Sequence, residues 1–298
     1  MSKPDSFYRY LAVSQRDKQW GLYVTGAGYR DVPPGGLYPP QSHLHPASHE
    51  YHWKNGRTFH EYAVVYIIEG SGEFQSRSIA HMTFGAGTAI LLFPEVWHRY
   101  RPTKEIGWRE YWVTFHGNQA EWLQRSGFIT PEVPVIDTGP DDKIIRSFKA
   151  ILDHLRIQRI GFQHVIAAHT LEIIASVLSA GQDRHTDDHA YELIHRLKAV
   201  LEDQTESLPV IESLAAGLGV SSGHLRRVFK VHTGLSPYQY YLQLKIGRAK
   251  MMLRESGLSI KQIARILGFQ NVYHFSKLFK AKTDVSPNQW RHGKKKVR

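Results

Sequence analysis

The sequence predicts a two-domain α+β protein, in which an N-terminal antiparallel β-barrel or sandwich precedes a C-terminal all-α domain with two helix-turn-helix units. Residues 1–138 hold short aromatic and β-branched runs separated by turns that contain glycine or proline, which is the pattern of an antiparallel sheet. Residues 190–298 hold apolar residues at helical spacing instead. This second region also repeats one two-helix pattern, and such repetition is typical of a duplicated structural module.

The composition limits the possible classes of protein. A chain of 298 residues with 42% hydrophobic and 22% charged residues can bury at least one large core, and two cores are expected. The absence of cysteine excludes disulfides and thiolate metal sites, so any zinc site would need ligands from the 18 histidines and from carboxylates. No apolar run approaches the roughly 18 to 20 residues that cross a bilayer. The N-terminus also lacks the apolar core of a secretory signal, so we expect no membrane segment and a cytoplasmic location.

Three stretches predict the strands of the first domain. They are YAVVYIIEGSGEF at 62–74, HMTFGAGTAILLFPEVWHRY at 81–100 and WREYWVTFHG at 108–117. Each is rich in aromatic and β-branched residues, and glycine-containing turns join them. Small barrels of this kind hold a ligand in their mouth or lumen, so this domain is the expected ligand-binding domain.

Several polar and aromatic residues in or beside these strands are candidates for ligand binding. Aromatic faces can cover the C–H face of a sugar ring, while histidine and arginine donate to hydroxyls or to a carboxylate. Neighbouring strand residues face opposite sides of a sheet, so some of the candidates are ordinary core or rim residues. Tyr62 or Tyr100 is the first that we would remove. The candidates are Arg57, His60, Tyr62, His98, Tyr100 and Trp112.

Residues 139–181 predict a pair of amphipathic helices, and the polar residues 182–189 predict a linker. The helices could pack on the sheet or pair with another subunit, and we favour a homodimer. The expected apolar stripes are Ile144, Ile145, Phe148, Ile151, Leu152 and Leu155 on the first helix, and Val165, Ile166, Leu171, Ile174 and Leu178 on the second.

The positive charge of the chain lies almost entirely in its last third. Residues 190–298 contain 19 Lys and Arg against 7 Asp and Glu, whereas residues 1–189 contain 19 against 20. A strongly basic domain attached to a neutral one is expected to bind a polyanion. The charge therefore indicates double-stranded DNA as the partner of the second domain.

The repeat gives this domain its predicted architecture. Ile211, Ala215 and Gly219 recur 49 residues later as Ile260, Ala264 and Gly268, and from Leu225 onward the offset is 50 residues. Each unit is predicted to be a short helix, a sharp turn at glycine and a second helix. The residues expected to face outward on the second helices are Ser222, Gly223, Arg226, Arg227 and Lys230 in the first unit, and Asn271, Tyr273, His274, Lys277 and Lys280 in the second.

A long helix is predicted between the two units, at residues 237–256. Twenty helical residues span about 30 Å. One turn of B-DNA is roughly 34 Å, so a spacer of this length could set two recognition helices into successive segments of the major groove. The repeat therefore predicts that one chain binds two adjacent half-sites. A helical interaction domain with two similar halves is the alternative, but it leaves the outward Arg and Lys residues unexplained.

The second domain resembles the DNA-binding domain of AraC-type transcription regulators over residues 190–292. The resemblance is carried by GVSSGHLRRVFK at 219–230 and by Ile260, Ala264, Gly268, Phe269, Phe275, Phe279, Lys280, Ser286, Pro287 and Arg291. It implies base and phosphate contacts from Gly223, Arg226 and Arg227 in the first unit and from Val272, Tyr273, His274 and Lys277 in the second. Glycine at 223 has no side chain to insert, so specificity in that unit is expected to shift to Ser222, His224 and Arg226.

The first domain is similar to the cupin-like sensor half of sugar-responsive regulators of that family, through IIEGSGEF, GAGTAILLFPEVWHRYRP and GWREYWVTFHG. The resemblance implies a small-molecule effector, a sugar by expectation, an arm at residues 29–50 that passes over it, and RNA polymerase as a partner of an activator. The interpretation is a ligand-responsive regulator without catalytic activity or cofactor.

Two other functions stay open. His43, His45 and Glu50 have the spacing of the first metal-binding motif of enzymatic cupins, and His98 would be the fourth ligand. A metal-dependent cupin enzyme fused to a DNA-binding module would use them, although the proline-rich context and Ala63 in the following strand disfavour it. A non-specific architectural DNA binder is the other alternative.

Overall fold

The computed structural model describes residues 6–38, 53–183, 188–203 and 210–293. The chain divides into two compact units, residues 1–185 and 186–298. Unit 1 contains the described strands, and the described elements of unit 2 are all helices. The predicted combination of an N-terminal antiparallel sheet with a C-terminal helical domain is therefore confirmed.

Unit 1 is built on one antiparallel sheet with the strand order β1-β2-β7-β3-β5-β8, and β4 and β6 also pair with β3. Its elements are β1 Phe7–Tyr10, α1 Gln15–Gln19, β2 Tyr23–Val32, β3 Tyr62–Ser76, β4 Met82–Gly85, β5 Thr88–Leu92, β6 His98–Pro102, β7 Trp108–His116, α2 Asn118–Arg125, β8 Val135–Asp137, α3 Asp142–Ile157 and α4 Phe162–Asp183.

Strand β3 organises this sheet because it is 15 residues long. Its first half pairs with β5 and β7, and its register shifts between Ile67 and Glu69. Its second half then pairs with β4 and β6. A shift of this kind marks a bulge, which bends a strand, so the two halves can belong to different parts of the sheet.

The alternation of side chains along β3 gives the sheet two apolar faces. Ala63, Val65 and Ile67 point to one side and pack with aromatic residues of β6 and β7. Tyr62 and Tyr66 point to the other side, where Tyr66 stacks on Phe148 of α3 and Tyr62 packs on Phe93 and Phe115. Since both faces are covered, β3 is apolar throughout its first six residues, which explains the uninterrupted run in the sequence.

The helices α3 and α4 pack on the second face of the sheet. The predicted stripe of α3 is buried except for the partly buried Ile145, and Ile166 and Ile174 of α4 are buried. Leu171 and Leu178 are partly buried. Val165 is 39% exposed, so its assignment to the buried stripe is wrong. Packing on the sheet, which was one of the two alternatives, is what the structure shows for this pair.

The predicted linker at residues 182–189 is shorter than expected. Helix α4 continues to Asp183, and the next helix begins at Asp188. Polar residues occur both at the solvated ends of helices and in linkers, so the sequence alone does not locate the end of α4. Residues 184–187 lie outside the described residues.

Helix α4 bears on the expectation that the chain has no membrane segment. Residues Phe162–Gly181 have the length and the hydropathy of a membrane-crossing helix. One face of this helix is nevertheless part of the core of unit 1, where it contacts α3, β2 and β8. A core helix passes the same test of length and composition, so this feature is weak evidence for a membrane span.

Unit 2 contains two helix-turn-helix units on either side of one long helix, as predicted. Helices α6 and α7 form the first unit, α9 and α10 form the second, and α8 lies between them along the chain. The bounds are α5 Asp188–Asp203, α6 Ile211–Gly217, α7 Ser222–Thr233, α8 Pro237–Glu255, α9 Ile260–Ile266, α10 Val272–Thr283 and α11 Pro287–Arg291.

The turns within the two units explain the repeat. Gly219 has a φ of +70° and Gly268 a φ of +64°, a conformation that glycine adopts without strain. Both α7 and α10 then begin at a capping side chain, since Ser221 accepts from the backbone N–H of His224 and Asn271 from that of His274. The turn of the second unit is one residue longer than that of the first, so the change of offset falls there.

Each helix-turn-helix unit has its own small core, and α8 contributes to both. Leu225 and Phe229 of α7 are buried with Tyr241 of α8 and with residues of α5. Phe275 and Phe279 of α10 are buried with α8 residues from Ile246 onward. The remaining faces of α7 and α10 are therefore the ones available for contact with another molecule.

Candidate functional site

Unit 1 contains a cavity on the first face of the sheet, where β2, β3 and β7 run side by side. The free space inside its wall is about 40 Å³, and an empty volume of about 440 Å³ includes the open solvent at its mouth. The enclosed space is smaller than the roughly 300 to 1,000 Å³ typical of small-molecule sites, so wall side chains must move to admit a sugar ring. The cavity is lined by Tyr10, Arg30, Tyr38, Arg57, Phe59, Ala63, Val65, Tyr100, Glu110, Trp112 and Thr114.

A buried carboxyl group lies in the wall of this cavity. Glu110 is 2% exposed, and its Oε1 is 3.7 Å from Nη1 of Arg30. The hydroxyl of Tyr38 lies 3.5 Å from each of its carboxyl oxygens. Burial raises the pKa of Glu110, and Arg30 and Arg57 act in the opposite direction. The cavity thus has a polar group whose charge depends on its neighbours.

A second arginine is held between aromatic rings. The guanidinium carbon of Arg57 is 4.6 Å from the ring centre of Phe59 and 4.9 Å from that of Tyr100. Attraction between a cation and a ring face stabilises this placement. The backbone of Arg57 also pairs with that of His98, with N–H···O distances of 2.9 and 3.0 Å, which attaches this segment to β6.

Aromatic side chains form much of the remaining wall. The rings of Tyr10 and Trp112 have centroids 5.7 Å apart, and those of Tyr38 and Tyr100 are 6.0 Å apart. A Cβ atom at Gly28 would lie 2.8 Å from Cε2 of Trp112, so the indole can approach β2 only because glycine stands there. Aromatic walls with a few polar groups are suited to a small polar molecule with an apolar face.

The structure brings together three of the six predicted ligand-binding residues, namely Arg57, Tyr100 and Trp112. The other three do not line this cavity. His60 is exposed and pairs with Glu95, with 2.6 Å between Nδ1 and Oε1. Tyr62 points to the opposite face of β3, where its hydroxyl donates to Gln124 over 2.6 Å.

His98 is also absent from the cavity lining. It is 1% exposed, and its Nδ1 lies 3.0 Å from the carbonyl oxygen of Val96. Its ring stacks on Tyr100 and meets Phe59 edge to face. The structure thus places Tyr62 away from the cavity and Tyr100 in its wall.

Several lining residues were missed by the sequence analysis. Glu110 and Thr114 lie two residues on either side of Trp112 on β7, so the alternation of a strand would have placed them on the same face once Trp112 was assigned. Arg30 and Tyr10 lie on β2 and β1, which were not predicted as strands. No sequence pattern identified Tyr38, because it lies outside the strands.

The predicted arm and the metal motif fall largely outside the described residues. Residues 29–32 belong to β2 and pair with β7, so they are not part of an arm. His43, His45 and Glu50 lie in the part of the chain that the structure does not describe. Among the described residues, no group of three His, Asp or Glu side chains could hold a metal ion.

The first candidate DNA-binding surface lies on α7. Gly223, Arg226 and Arg227 are exposed there, and Ser222 and His224 are half-buried. Nη2 of Arg226 lies 2.7 Å from Oε1 of Glu212, a residue of α6. The first unit therefore presents two arginines and small polar groups, and the carboxylate of Glu212 holds Arg226.

The second candidate surface lies on α10 and its N-terminal turn. Asn271, Val272, Tyr273, His274 and Lys277 are exposed, and Tyr273 is 74% exposed. The side-chain oxygen of Asn271 accepts from the backbone N–H of His274 over 2.7 Å, so part of its role is to begin the helix. An exposed tyrosine beside a lysine offers hydrogen-bond donors and an apolar surface to another molecule.

The charges of these helices have one sign. Helix α7 carries Arg226, Arg227 and Lys230, helix α10 carries three exposed lysines, and neither helix contains Asp or Glu. Helices of this kind attract phosphate groups and can reach base edges in a major groove. The site of unit 2 is thus suited to a nucleic acid, and that of unit 1 to a small molecule.

Two family models match this chain, one for a ligand-binding domain and one for a helix-turn-helix domain. Residues 35–194 match the family model of the AraC-like ligand binding domain, and residues 214–293 match that of a helix-turn-helix domain. The MmsAB operon regulatory protein of Pseudomonas aeruginosa is 26% identical over 235 residues, which cover 78% of this chain and 75% of that protein. The lactose operon transcription activator of Staphylococcus xylosus is 23% identical over 250 residues, 79% of this chain and 85% of that protein.

A solved structure of an AraC-type transcriptional regulator from Chromobacterium violaceum is 27% identical and covers 38% of this chain and all of that one, with a TM-score of 0.33. The ligand-binding match alone spans more than half of the 298 residues. The chain belongs to the AraC family of ligand-responsive, DNA-binding transcription regulators.

Proposed function

We propose that this regulator binds a sugar or a sugar derivative in the cavity of unit 1 and two adjacent major-groove segments through α7 and α10. The observation that carries the proposal is the presence, in one chain, of an aromatic cavity lined by two arginines and one glutamate and of two exposed cationic helices. We propose a sensing domain at 1–138, a helical pair that extends from 139 to Asp183, and a DNA-binding domain that begins with α5 at Asp188, so the expected linker of 182–189 is shortened at both ends.

The chemistry of the cavity supports a sugar. Trp112 and Tyr10 offer ring faces for the C–H surface of a pyranose or furanose. Glu110 can accept from ligand hydroxyls, and Arg57 can donate to ligand oxygens. The lactose operon transcription activator is a relative with a carbohydrate-related name, which agrees with this assignment.

The length of α8 supports the reading of two groove segments by one chain. Its 19 residues span about 28 Å, close to one turn of B-DNA. In the first unit we assign base or phosphate contacts to Ser222, Gly223, His224, Arg226 and Arg227. In the second we assign them to Asn271, Val272, Tyr273, His274 and Lys277.

Transmission of the ligand signal is proposed to pass through the sheet itself. Val65 lines the cavity, and its neighbour Tyr66 lies on the opposite face, where its ring stacks on Phe148 of α3. A ligand can shift the protein between two states only if its affinity for them differs. A change in the cavity wall would therefore reach α3 through a single strand.

The exposed face of α4 supports a homodimer. Val165, Ala168, Glu172, Ala175 and Ser179 are exposed and follow the spacing of one helix face. Small residues at such positions let two helices approach closely. We further propose that the protein acts in the cytoplasm, without catalytic activity, as an activator that contacts RNA polymerase. The name of the lactose relative supports the assignment as an activator.

A footprint on DNA selected by the purified full chain from a random library tests the function. We expect discrete protected sites, each with two groove segments, whose occupancy changes when the effector is added. Uniform protection without discrete sites would indicate an architectural DNA binder. A bound stoichiometric metal together with turnover of a small molecule would instead favour the cupin enzyme.

A further inference from the structure

We infer that Lys245 is a positioning residue, which fixes the second recognition helix relative to the first and thereby sets the half-site spacing that one chain reads. The inference deepens the proposed function, because it rests on α7 and α10 binding two adjacent half-sites. It is carried by a buried cation of α8 that contacts one aromatic ring packed with each helix-turn-helix unit.

Lys245 lies in the middle of α8 and is 6% exposed. Its Nζ is 4.7 Å from the ring centre of Tyr241 and 4.9 Å from that of Phe269. A lysine is seldom buried unless its charge is compensated, and the face of an aromatic ring attracts a cation. The two rings therefore help to hold the ammonium group at this place.

The two rings lead to different recognition helices. Tyr241 is buried in one core with Phe229 of α7. Phe269 follows the turn of the second helix-turn-helix unit, and its ring centre is 6.0 Å from that of His274 on α10, a residue that we assign to DNA contact. A single aromatic side chain thus lies between Lys245 and each recognition helix.

Two other polar contacts of α8 each join it to a single helix-turn-helix unit. The hydroxyl of Tyr240 donates to the carboxylate of Glu202 on α5 over 3.1 Å, and Nε of Arg291 on α11 donates to the carbonyl oxygen of Leu253 over 3.4 Å. Gly247 lies between these contacts, and a Cβ atom there would meet nothing within 4 Å, so packing does not require a glycine. Because glycine destabilises the interior of a helix, α8 alone holds its two ends together less firmly at this point.

The consequence concerns the binding of two half-sites together. Once one recognition helix is bound, binding of the other is intramolecular, and its strength depends on how well the linked helices match the two half-sites. Loss of the contact at Lys245 would leave each helix able to bind its own half-site, but with a poorer match to the pair. Lys245 therefore contributes to the advantage of two half-sites over one.

Fluorescence anisotropy of the full chain on three DNAs tests the inference. The DNAs are the selected operator and two copies in which one or the other half-site is scrambled. Lys245→Met keeps a long side chain and removes the charge. It should lower the ratio of operator affinity to single-half-site affinity by about 2- to 30-fold, the range of a cation–ring contact. Affinity for each single half-site should stay unchanged, which a loss of folded protein would not produce.

Two further variants separate charge from position. Lys245→Arg should retain most of the ratio, because arginine keeps the charge and also stacks on aromatic rings. Lys250→Met is the matched control, since Lys250 is also a lysine of α8 and its Nζ is 4.8 Å from the ring centre of Trp290, but both lie on the side of the second helix-turn-helix unit. This control should keep the wild-type ratio.

A double-mutant cycle isolates the contact across the two units, since Lys245 and Tyr241 make further interactions besides those described. Phe269→Leu removes the ring and should lower the same ratio. The loss in the double variant should be smaller than the product of the two single losses. Circular dichroism checks the folding of every variant, and Lys245→Gln takes the place of Lys245→Met if the latter is unfolded.

An unchanged ratio in Lys245→Met, an equal loss of affinity on all three DNAs, the same loss of ratio in Lys250→Met, or independent losses in the double variant would each overturn the inference. A wild-type chain that binds the operator no better than a single half-site would reject the proposed function and the inference with it. A wild-type advantage that Lys245→Met retains rejects the inference alone.

Discussion

The ion pair between Arg226 and Glu212 gives the most specific prediction for DNA binding. Glu212 belongs to α6 and Arg226 to α7, and their charged atoms are 2.7 Å apart. If Arg226 contacts DNA, it must leave this carboxylate or bring it close to the phosphates. Glu212→Gln should therefore strengthen operator binding rather than weaken it.

The size of the effect follows from the exposure of the pair. The side chains are 52% and 58% exposed, so solvent screens their attraction. Pairs of this kind contribute about 0.2 to 1 kcal/mol, which corresponds to a gain in affinity of about 1.4- to 5-fold. Removal of one negative charge near the DNA adds a smaller gain that depends on salt.

Fluorescence anisotropy with a labelled operator at fixed salt measures this gain. Glu192→Gln is the matched control, since Glu192 pairs with Arg196 on α5 over 2.5 Å, and this helix is not proposed to contact DNA. In an Arg226→Ala background the gain from Glu212→Gln should be lost. An unchanged or lower affinity of the folded Glu212→Gln protein, or an equal gain in Glu192→Gln, would refute the assignment of Arg226.

Four further predictions address the other parts of the molecule. Lys277→Ala should weaken operator binding by about 1 to 3 kcal/mol if Lys277 contacts a base, and the log of the wild-type affinity should fall steeply with the log of salt concentration, both by anisotropy titration. Tyr66→Phe should lower the urea midpoint of unit 1, by an equivalent of about 1 to 3 kcal/mol, because the hydroxyl donates to Gly139 over 2.9 Å and accepts from the N–H of Asp141 over 3.1 Å. The raised pKa of Glu110 means that the folded protein keeps a proton that the unfolded chain loses. The stability of the wild type relative to Glu110→Gln should therefore fall as the pH rises from about 4.5 to 7, and an equal difference at both pH values would contradict this.

The helical domain was predictable because its pattern is local. The apolar spacing of Leu225 and Phe229, the glycine at 219 and the serine or asparagine caps all act within a few residues, and their repetition 49 or 50 residues later strengthens each of them. Exposure of the proposed contact residues follows from the same periodicity. The pairing of Arg226 with Glu212 did not follow, because it depends on the angle between two helices.

The cavity was predictable only in part because its residues meet across strands. Arg30, Arg57 and Glu110 come from β2, from the segment before β3 and from β7, and no local pattern relates them. The runs that became β3 and β7 were recognised by composition. Which of their faces lines the cavity depends on the strand order and on the side that α3 and α4 cover.

The central claim is that one chain reads two adjacent groove segments through α7 and α10. It is tested most directly by inserting base pairs between the two half-sites of a selected operator and measuring the affinity of the full chain. An insertion of about 5 base pairs turns the second half-site by half a helical turn, out of reach of a spacer of about 28 Å. The account predicts that affinity then falls to that of a DNA with one half-site, whereas undiminished affinity for the DNA with the insertion would contradict it.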